Sequence, residues 1–342
     1  MAKSADILGM NARNLLIKKL NPLRLKRLVD DKLRTKEILT KAHIPNPEVL
    51  AVFKNYQDVE KFDFSQLPPS FVLKPNRGLG GEGILVIVGR TKNGWRRQDG
   101  TEITLPELKF YIFNILDGNF SKLGVEDIAF IEEKVKLHKS FKKWVKKGVP
   151  DIRIISLNMI PIMAMLRLPT EESKGRANLH QGGVAVGIDL AVGVTTGGFW
   201  KGRPIKFYPG TKKKLNGFRI PYWDRCLALA AETQRVIELG YMGVDIVIDK
   251  EKGPEVLEVN ARPGLQIQLA NLTPLRKAIK RIEDLHPGTP EKAVRIGKEL
   301  FGEGIAKEIE ATTGRPVLGI IEPVKLVGKK GKTKFIFAKV DT

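Results

Sequence analysis

The sequence predicts an α+β fold rather than a strictly alternating parallel sheet. Three observations carry the prediction. Strand and helix patterns follow one another in mixed order; a glycine-rich turn at residues 78–83 leads into a β-branched run where an alternating fold would start a helix; and two apolar strand patterns, 244–248 and 255–259, are separated by only a short polar turn.

The elements follow in order. Residues 1–30 are basic and Leu-rich with helical spacing, broken at Asn21-Pro22. Asp30 to Ala42 predicts a second helical stretch, closed by Ile44-Pro45-Asn46-Pro47. Phe71–Lys74 and Ile84–Val88 read as strands flanking the glycine-rich turn, and Ala129–Glu132 as another. A basic run with six lysines, Lys136 to Lys147, surrounds Phe141 and Trp144. Asp151–Leu157 and Ile160–Leu168 read as strands, followed by a glycine-rich polar stretch from Arg176 to Gly198. Tyr222–Leu239 is helical and stops at Gly240, a glycine suited to a left-handed C-cap.

Composition sets outer limits. The chain has 342 residues, 42% of them hydrophobic, which is enough for two or three subdomains around real cores. One cysteine, Cys226, excludes an internal disulfide and a multi-cysteine metal site, and reads as small core filler. The N-terminus lacks the apolar core of a signal peptide and no stretch is apolar enough to span a bilayer, so a cytoplasmic location is expected. Lys and Arg total 59 against 38 Asp and Glu, and a net charge of +21 favours an anionic partner: nucleic acid, a membrane surface or a polyphosphate.

The turn contains Gly78-x-Gly80-x-x-Gly83, but a dinucleotide fingerprint needs a helix after its last glycine, and Ile84-Leu85-Val86-Ile87-Val88 is a strand pattern. Gly331-Lys332-Thr333 is no Walker loop either, since Leu326 stands where the leading glycine belongs. What remains is a flexible loop between antiparallel strands. Its backbone N–H groups could close over oxyanions beside Lys74.

The pair of strands near residue 250 repays a register calculation. A four-residue loop, Lys250–Gly253, puts Asp249 opposite Pro254, Val247 opposite Val256 and Asp245 opposite Glu258, with Asn260 on the face of Glu258. Two carboxylates directly opposed are unfavourable unless neutralised, and a hard divalent cation, Mg²⁺ or Mn²⁺, would do so with oxygen ligands. Asp245, Glu258 and Asn260 are therefore the expected metal ligands.

Together these motifs resemble the ATP-grasp superfamily of carboxylate–amine ligases, in its alpha-L-glutamate ligase-like branch related to the RimK enzymes. The resemblance runs from Asp31-Lys32-Leu33-Arg34 to Asn260-Ala261-Arg262-Pro263-Gly264 and includes Asp151-Ile152-Arg153 and Arg176-Ala177-Asn178-Leu179-His180-Gln181-Gly182-Gly183. It implies two α+β subdomains clasping ATP, with Lys32 and Lys74 on the phosphates. Gly78, Gly80, Gly81 and Gly83 would form the lid. Glu132, Glu133, Lys134 and Val135 would be the hinge that reads adenine and ribose. Arg167, Arg176 and Asn178 would serve catalysis, Arg262 would grip a substrate carboxylate, and Asp245, Glu258 and Asn260 match the family's metal ligands.

The run Lys136–Lys147 is longer than in RimK and similar to the sugar-transfer-associated subgroup, and a shorter segment precedes Asp31 than in glutamate-adding members. The tail from Gly319 to Thr342 resembles the first hairpin of a retropepsin-like domain. The expected organisation is 1–30, a basic helical segment; 31–135 and 136–285, the two ATP-grasp subdomains; and 286–342, a helix and β-hairpin.

The implied activity is ADP-forming ligation of a small-molecule or peptide carboxylate to an amine, with glutamate or another amino acid as the added unit. A homo-oligomer is compatible with the sequence. The competing readings are a basic nucleic-acid-binding protein, supported by Lys136–Lys147 and its aromatics, and an ATP-grasp kinase or non-catalytic ATP-binding protein. No membrane partner is expected.

Overall fold

The computed structural model describes residues 7–78, 80–121 and 124–302, and the backbone of two further strands within 321–339. The fold is α+β, with two large antiparallel sheets facing one cavity.

Helices α1 (Met10–Leu20) and α2 (Leu23–Asp30) break at Asn21-Pro22. Asn21 is buried at the break. Its side-chain amide donates to the carbonyls of Tyr241 and Ala261 and its oxygen accepts from the Tyr241 N–H, so the joint is fastened to a strand 220 residues away in sequence. Helix α3 (Lys32–Lys41) begins at Asp31, whose carboxylate accepts from the Arg34 N–H and satisfies one open donor of the first turn. Its buried side chains, Thr35, Lys36 and Leu39, keep helical spacing.

The first sheet runs in the order β1-β6-β2-β3-β4-β5, from β1 (Val49–Phe53), β2 (Phe71–Pro75), β3 (Leu85–Arg90), β4 (Gly94–Arg97), β5 (Glu102–Thr104) and β6 (Ala129–Glu133). Helices α4 (Tyr56–Lys61) and α5 (Leu105–Leu116) cover one face. Phe53, Phe71, Trp95, Leu108 and Ile112 pack there. A reciprocal Thr104–Glu107 cap fixes the start of α5.

The second sheet runs β11-β10-β9-β8-β7-β12-β13. Its strands are β7 (Asp151–Leu157), β8 (Ile160–Leu168), β9 (Val184–Ile188), β10 (Thr195–Trp200), β11 (Arg203–Ile205), β12 (Tyr241–Asp249) and β13 (Gly253–Asn260). Side chains alternate across it. Ile152 and Ile154 join one core with α6 (Trp223–Ile237), where Cys226 is buried; Ile155 and Leu157 join the other, with α7 (Ile267–Asn271) and α8 (Leu275–Ile282). Helix α9 (Pro290–Phe301) packs against β8. Leu25, Val29, Leu39 and Ile44 bind α2 and α3 into the α6 core.

Three expectations are corrected. Helix α6 ends at Ile237, and the left-handed cap is Glu238 (φ 63°) rather than Gly240. Gly240 answers a different constraint: a Cβ there would lie 2.9 Å from the Leu20 carbonyl oxygen. In the β12–β13 hairpin, Asp249 pairs with Gly253 and Val247 with Glu255, so the turn is one residue shorter than expected; a bulge between Asp245 and Ile246 restores the Asp245–Glu258 pairing. Finally, Phe141 and Trp144 of the basic run are 2% and 4% exposed and pack with Phe218. They are core anchors, not faces on which bases could stack.

Near the C-terminus β14 (Ile321–Val327) pairs with β15 (Thr333–Lys339). Asp341-Thr342, on which the retropepsin resemblance turns, lies outside the described residues. No helix among the described residues is long and apolar enough to cross a membrane.

Candidate functional site

A cavity of about 910 Å³ lies between the sheets, within the usual range for small-molecule sites. Lys74 and Phe130 of the first sheet line one wall, Arg167 and Asp245 of the second line the other, and Lys32 enters from α3.

On the first wall β6 pairs with β2, placing Glu132 beside the strand that carries Lys74. Glu132 is 1% exposed and bridges two lysines, Lys74 directly and Lys36 at 3.0 Å. Burial pushes this carboxyl up, but Lys74 and Lys36 outweigh burial and hold it below the usual range. Lys36 also donates to the Pro47 carbonyl at 2.8 Å; burial lowers its pKa against the opposing pull of Glu132. One turn earlier, Lys32 donates to the carbonyls of Asn76 (3.1 Å) and Gly78 (2.8 Å), and burial lowers its pKa against the charge of Glu258 across the cavity.

Lys32 thus holds the entrance of the glycine loop between β2 and β3. Gly80, Gly81 and Gly83 all take positive φ (63°, 84° and 69°), a region that costs other residues strain. At Gly83 a Cβ would also strike the Phe120 ring at 2.7 Å. The loop touches the opposite sheet: the Gly80 carbonyl accepts from Asn178 Nδ2 at 3.2 Å and Gln181 Nε2 at 3.1 Å. Arg176 lies against the same loop and donates to Gln181.

On the second wall the register lines up charges from four adjacent strands. Asp151 pairs with Arg167 across β7–β8, Arg153 with Asp245 across β7–β12, and Asp245 with Glu258 across β12–β13. Arg167 grips Asp151 through two bonds of 2.5 and 2.7 Å and reaches Asp245 at 2.7 Å. Arg153 grips Asp245 through bonds of 2.7 and 2.6 Å. Burial acts to raise the Asp245 pKa, yet Arg153 and Arg167 prevail and hold it at about 2. For Asp151 burial wins: it is pushed up, only partly opposed by Arg167, with Asp245 adding to the rise.

A divalent cation fits this wall only if phosphate supplies much of its shell. Asp245 spends its oxygens on two arginines and accepts a further bond from Asn260 Nδ2 at 3.2 Å. The Glu258 side chain makes no hydrogen bond or ion pair among the described residues. No group of three or more His, Cys, Asp or Glu able to hold a metal occurs among those residues. Magnesium commonly takes one or two carboxylates and completes its octahedron with water and phosphate oxygens, and Glu258 beside Asp245 offers that.

The hinge residues divide. The Glu132 and Glu133 side chains are taken by lysines, Glu133 by Lys252, whereas Lys134 and Val135 line the cavity and their backbones make no hydrogen bond among the described residues. Arg262 lies elsewhere: it forms a bidentate pair with Asp30 at 2.7 and 3.0 Å, half-exposed, and does not line the cavity. Lys36 and Arg153 belong to motifs seen in the sequence, but no role follows for them there. Lys36 stands four residues after Lys32 on one helix face, a spacing that could have found it. Arg153 could be reached only through the cross-strand register.

Comparison with curated protein sequences finds no match. Among solved structures the chain is similar to a biotin carboxylase complexed with β,γ-ATP from Campylobacter jejuni, with 12% identity over 82% of this chain and 53% of that one and a TM-score of 0.50. It is also similar to the D-alanine–D-alanine ligase of Bacillus anthracis complexed with ATP (16% identity, 80% and 68% covered, TM-score 0.43) and to the ATP-grasp ligase PsnB complexed with a minimal precursor (14%, 77% and 63%, TM-score 0.39). The chain therefore spans under two thirds of the PsnB chain's length. The family model for sugar-transfer associated ATP-grasp proteins matches residues 11–284, and with the two sheets, the glycine loop and the facing charge clusters already in place, the chain belongs to that ATP-grasp family.

Proposed function

We propose that this chain is an ATP-dependent ligase that joins a small-molecule or peptide carboxylate to an amine with release of ADP and phosphate. The observation that carries the reading is the charge arrangement across one cavity: lysines in excess on the wall with the lid, carboxylates in excess on the wall opposite. A triphosphate with its divalent cation matches both.

In this reading Lys32, Lys36 and Lys74 neutralise phosphate oxygens, the backbones of Lys134 and Val135 meet the adenine edge, and the Gly78–Gly83 loop excludes water. Glu258, Asp245 and Asn260 would hold Mg²⁺ or Mn²⁺, which when bound neutralises charge on the phosphates. A carboxylate oxygen attacks the γ-phosphorus, the bond to ADP breaks, and an acyl phosphate results. The amine nitrogen then attacks the acyl carbon, phosphate leaves, and a proton is released from nitrogen. Arg176 at the lid and Arg167 on β8 are placed to counter charge gathering on the transferring group. Residues 31–135 and 136–285 would act as the two jaws, with Lys32 and α3 seated on the second jaw's core.

ADP release from the full chain with Mg²⁺, ATP and a panel of carboxylates, using hydroxylamine as the nucleophile, tests the reading. Carboxylate-dependent hydroxamate formation is expected. ADP release with a phosphorylated product and no hydroxamate would instead identify a kinase.

A further inference from the structure

One mouth of the cavity carries five cations, of which the reading above gives an anion to Arg176 alone. Three distant segments meet there: the end of β4, the basic run before β7 and the loop between β8 and β9. Their approach is close. A Cβ on Gly148 would lie 1.9 Å from the Gly175 carbonyl oxygen, and one on Gly175 would lie 2.3 Å from Gln98 Nε2. Both glycines have positive φ, 86° and 81°.

The convergence brings Arg97, Lys146, Lys147, Lys174 and Arg176 to the same opening. None of the five forms an ion pair among the described residues. Among the described residues the Arg176 side chain hydrogen-bonds to Gln181 alone, and the buried Nε of Arg97 has no hydrogen-bond partner. The acids nearby do not balance them. Asp99 is within the field of Arg97 and Lys147 but already accepts from the Thr101 N–H and hydroxyl, and Glu172 pairs with Lys201. Glu82, on the lid, is the other acid lining the cavity here.

Five cations gathered by tight backbone contacts repel one another, and a concave wall of low polarisability focuses their field outward. Order along the mouth matters as well. Arg176 lies against the lid at Gly81, where the terminal phosphate would be, while Lys146, Lys147 and Lys174 flank the Gly148–Gly175 contact; all four are exposed.

Building on the ligase reading, we propose that the carboxylate substrate carries a second anionic group, a carboxylate or a phosphate, which Lys146, Lys147 and Lys174 hold while the reacting carboxylate lies at Arg176 beneath the lid.

The test is calorimetric binding to the full chain saturated with Mg²⁺ and a non-hydrolysable ATP analogue, so that the triphosphate site is filled. Paired probes differ by one anionic group: butyrate against succinate, and glycerate against 3-phosphoglycerate; the two pairs separate a second carboxylate from a phosphate. The member carrying the second anionic group in at least one pair is expected to bind about 10-fold more tightly, with the advantage shrinking as salt rises from about 50 to about 500 mM. In the triple variant Lys146→Ala, Lys147→Ala, Lys174→Ala the advantage should vanish while the affinity for the analogue changes less than about twofold.

Equal binding within both pairs, no binding of any probe, or an advantage that survives in the triple variant would overturn the proposal. The readout involves no turnover, so its failure leaves the ligase reading standing; tight binding of the dianion without hydroxamate formation would sink that reading alone.

Discussion

Two charge clusters face each other across the cavity, the first joining a helix to a strand pair and the second built by the register of four adjacent strands, and they are balanced in opposite senses. On the first wall three lysines, Lys32, Lys36 and Lys74, stand against one glutamate, Glu132. On the second, two arginines, Arg153 and Arg167, stand against three carboxylates, Asp151, Asp245 and Glu258. Each cluster has one central group that bridges two opposite charges, Glu132 or Asp245, and one group without an ion-pair partner among the described residues, Lys32 or Glu258. The difference separates groups that hold the fold together from groups spare for a ligand, because removing a paired centre strands its buried partners whereas removing a spare charge strands nothing.

The sharpest way to break this contrast is Glu132→Gln. It leaves Lys36 and Lys74 buried side by side without a counter-charge, and a loss of about 3–5 kcal/mol in urea unfolding is expected, made smaller by ATP. An unchanged midpoint would mean that Glu132 is not the centre of its cluster.

Asp245→Asn comes next. Arg167 keeps Asp151, so only Arg153 loses its main partner, and about 2–3 kcal/mol should be lost. The acid limb sharpens the assignment. Asp245 titrates at about 2 in the folded protein, below its ordinary value, so its contribution is complete above about pH 4. It should fall away as pH drops through 2, and the Asn variant should lack that limb.

Glu255 on β13 is 4% exposed, stands opposite Val247 and lies within the field of Lys36. Burial pushes its carboxyl up to about 7, partly opposed by Lys252 and Lys36 and reinforced by Asp249 and Glu133. A raised carboxyl stabilises the fold below its ordinary value of about 4.3, and the benefit is lost as pH rises through 7. Glu255→Gln should therefore gain about 1–2 kcal/mol over the parent chain at pH 8 and almost nothing at pH 4; matched denaturation curves at the two pH values decide it.

The smallest stability effect belongs to the spare charge. Glu258→Gln should change stability by under about 0.5 kcal/mol while carboxylate-dependent ADP release falls about 100-fold. A large stability loss here would place Glu258 with the structural acids and remove the contrast between paired and spare groups.

The sequence legibly carried the local elements of the site. The strands on either side of the glycine loop, the break at Asn21-Pro22 and the opposed Asp245 and Glu258 all follow from dihedral preferences and period-two alternation, which depend only on near neighbours. Even there the Asp245–Glu258 pairing was reached through a turn one residue too long, and a bulge supplied the missing step. The basic run shows the opposite limit. Its lysines are exposed as composition suggests, but whether Phe141 and Trp144 face solvent or core depends on Phe218, more than seventy residues on.

By itself, then, the chain's sequence determined an α+β fold, a glycine-rich turn between two strands after Lys74 and the opposition of Asp245 to Glu258. Tertiary structure alone decided which charges are spent on one another. Pairing Lys36 with Glu132, Arg153 with Asp245 and Arg262 with Asp30 requires strands and helices up to 232 residues apart to meet at a few ångströms. A charge meets a ligand without giving up an internal partner only where that packing leaves it none, and partnership across such separations is a property of the folded arrangement, not of any local stretch of residues.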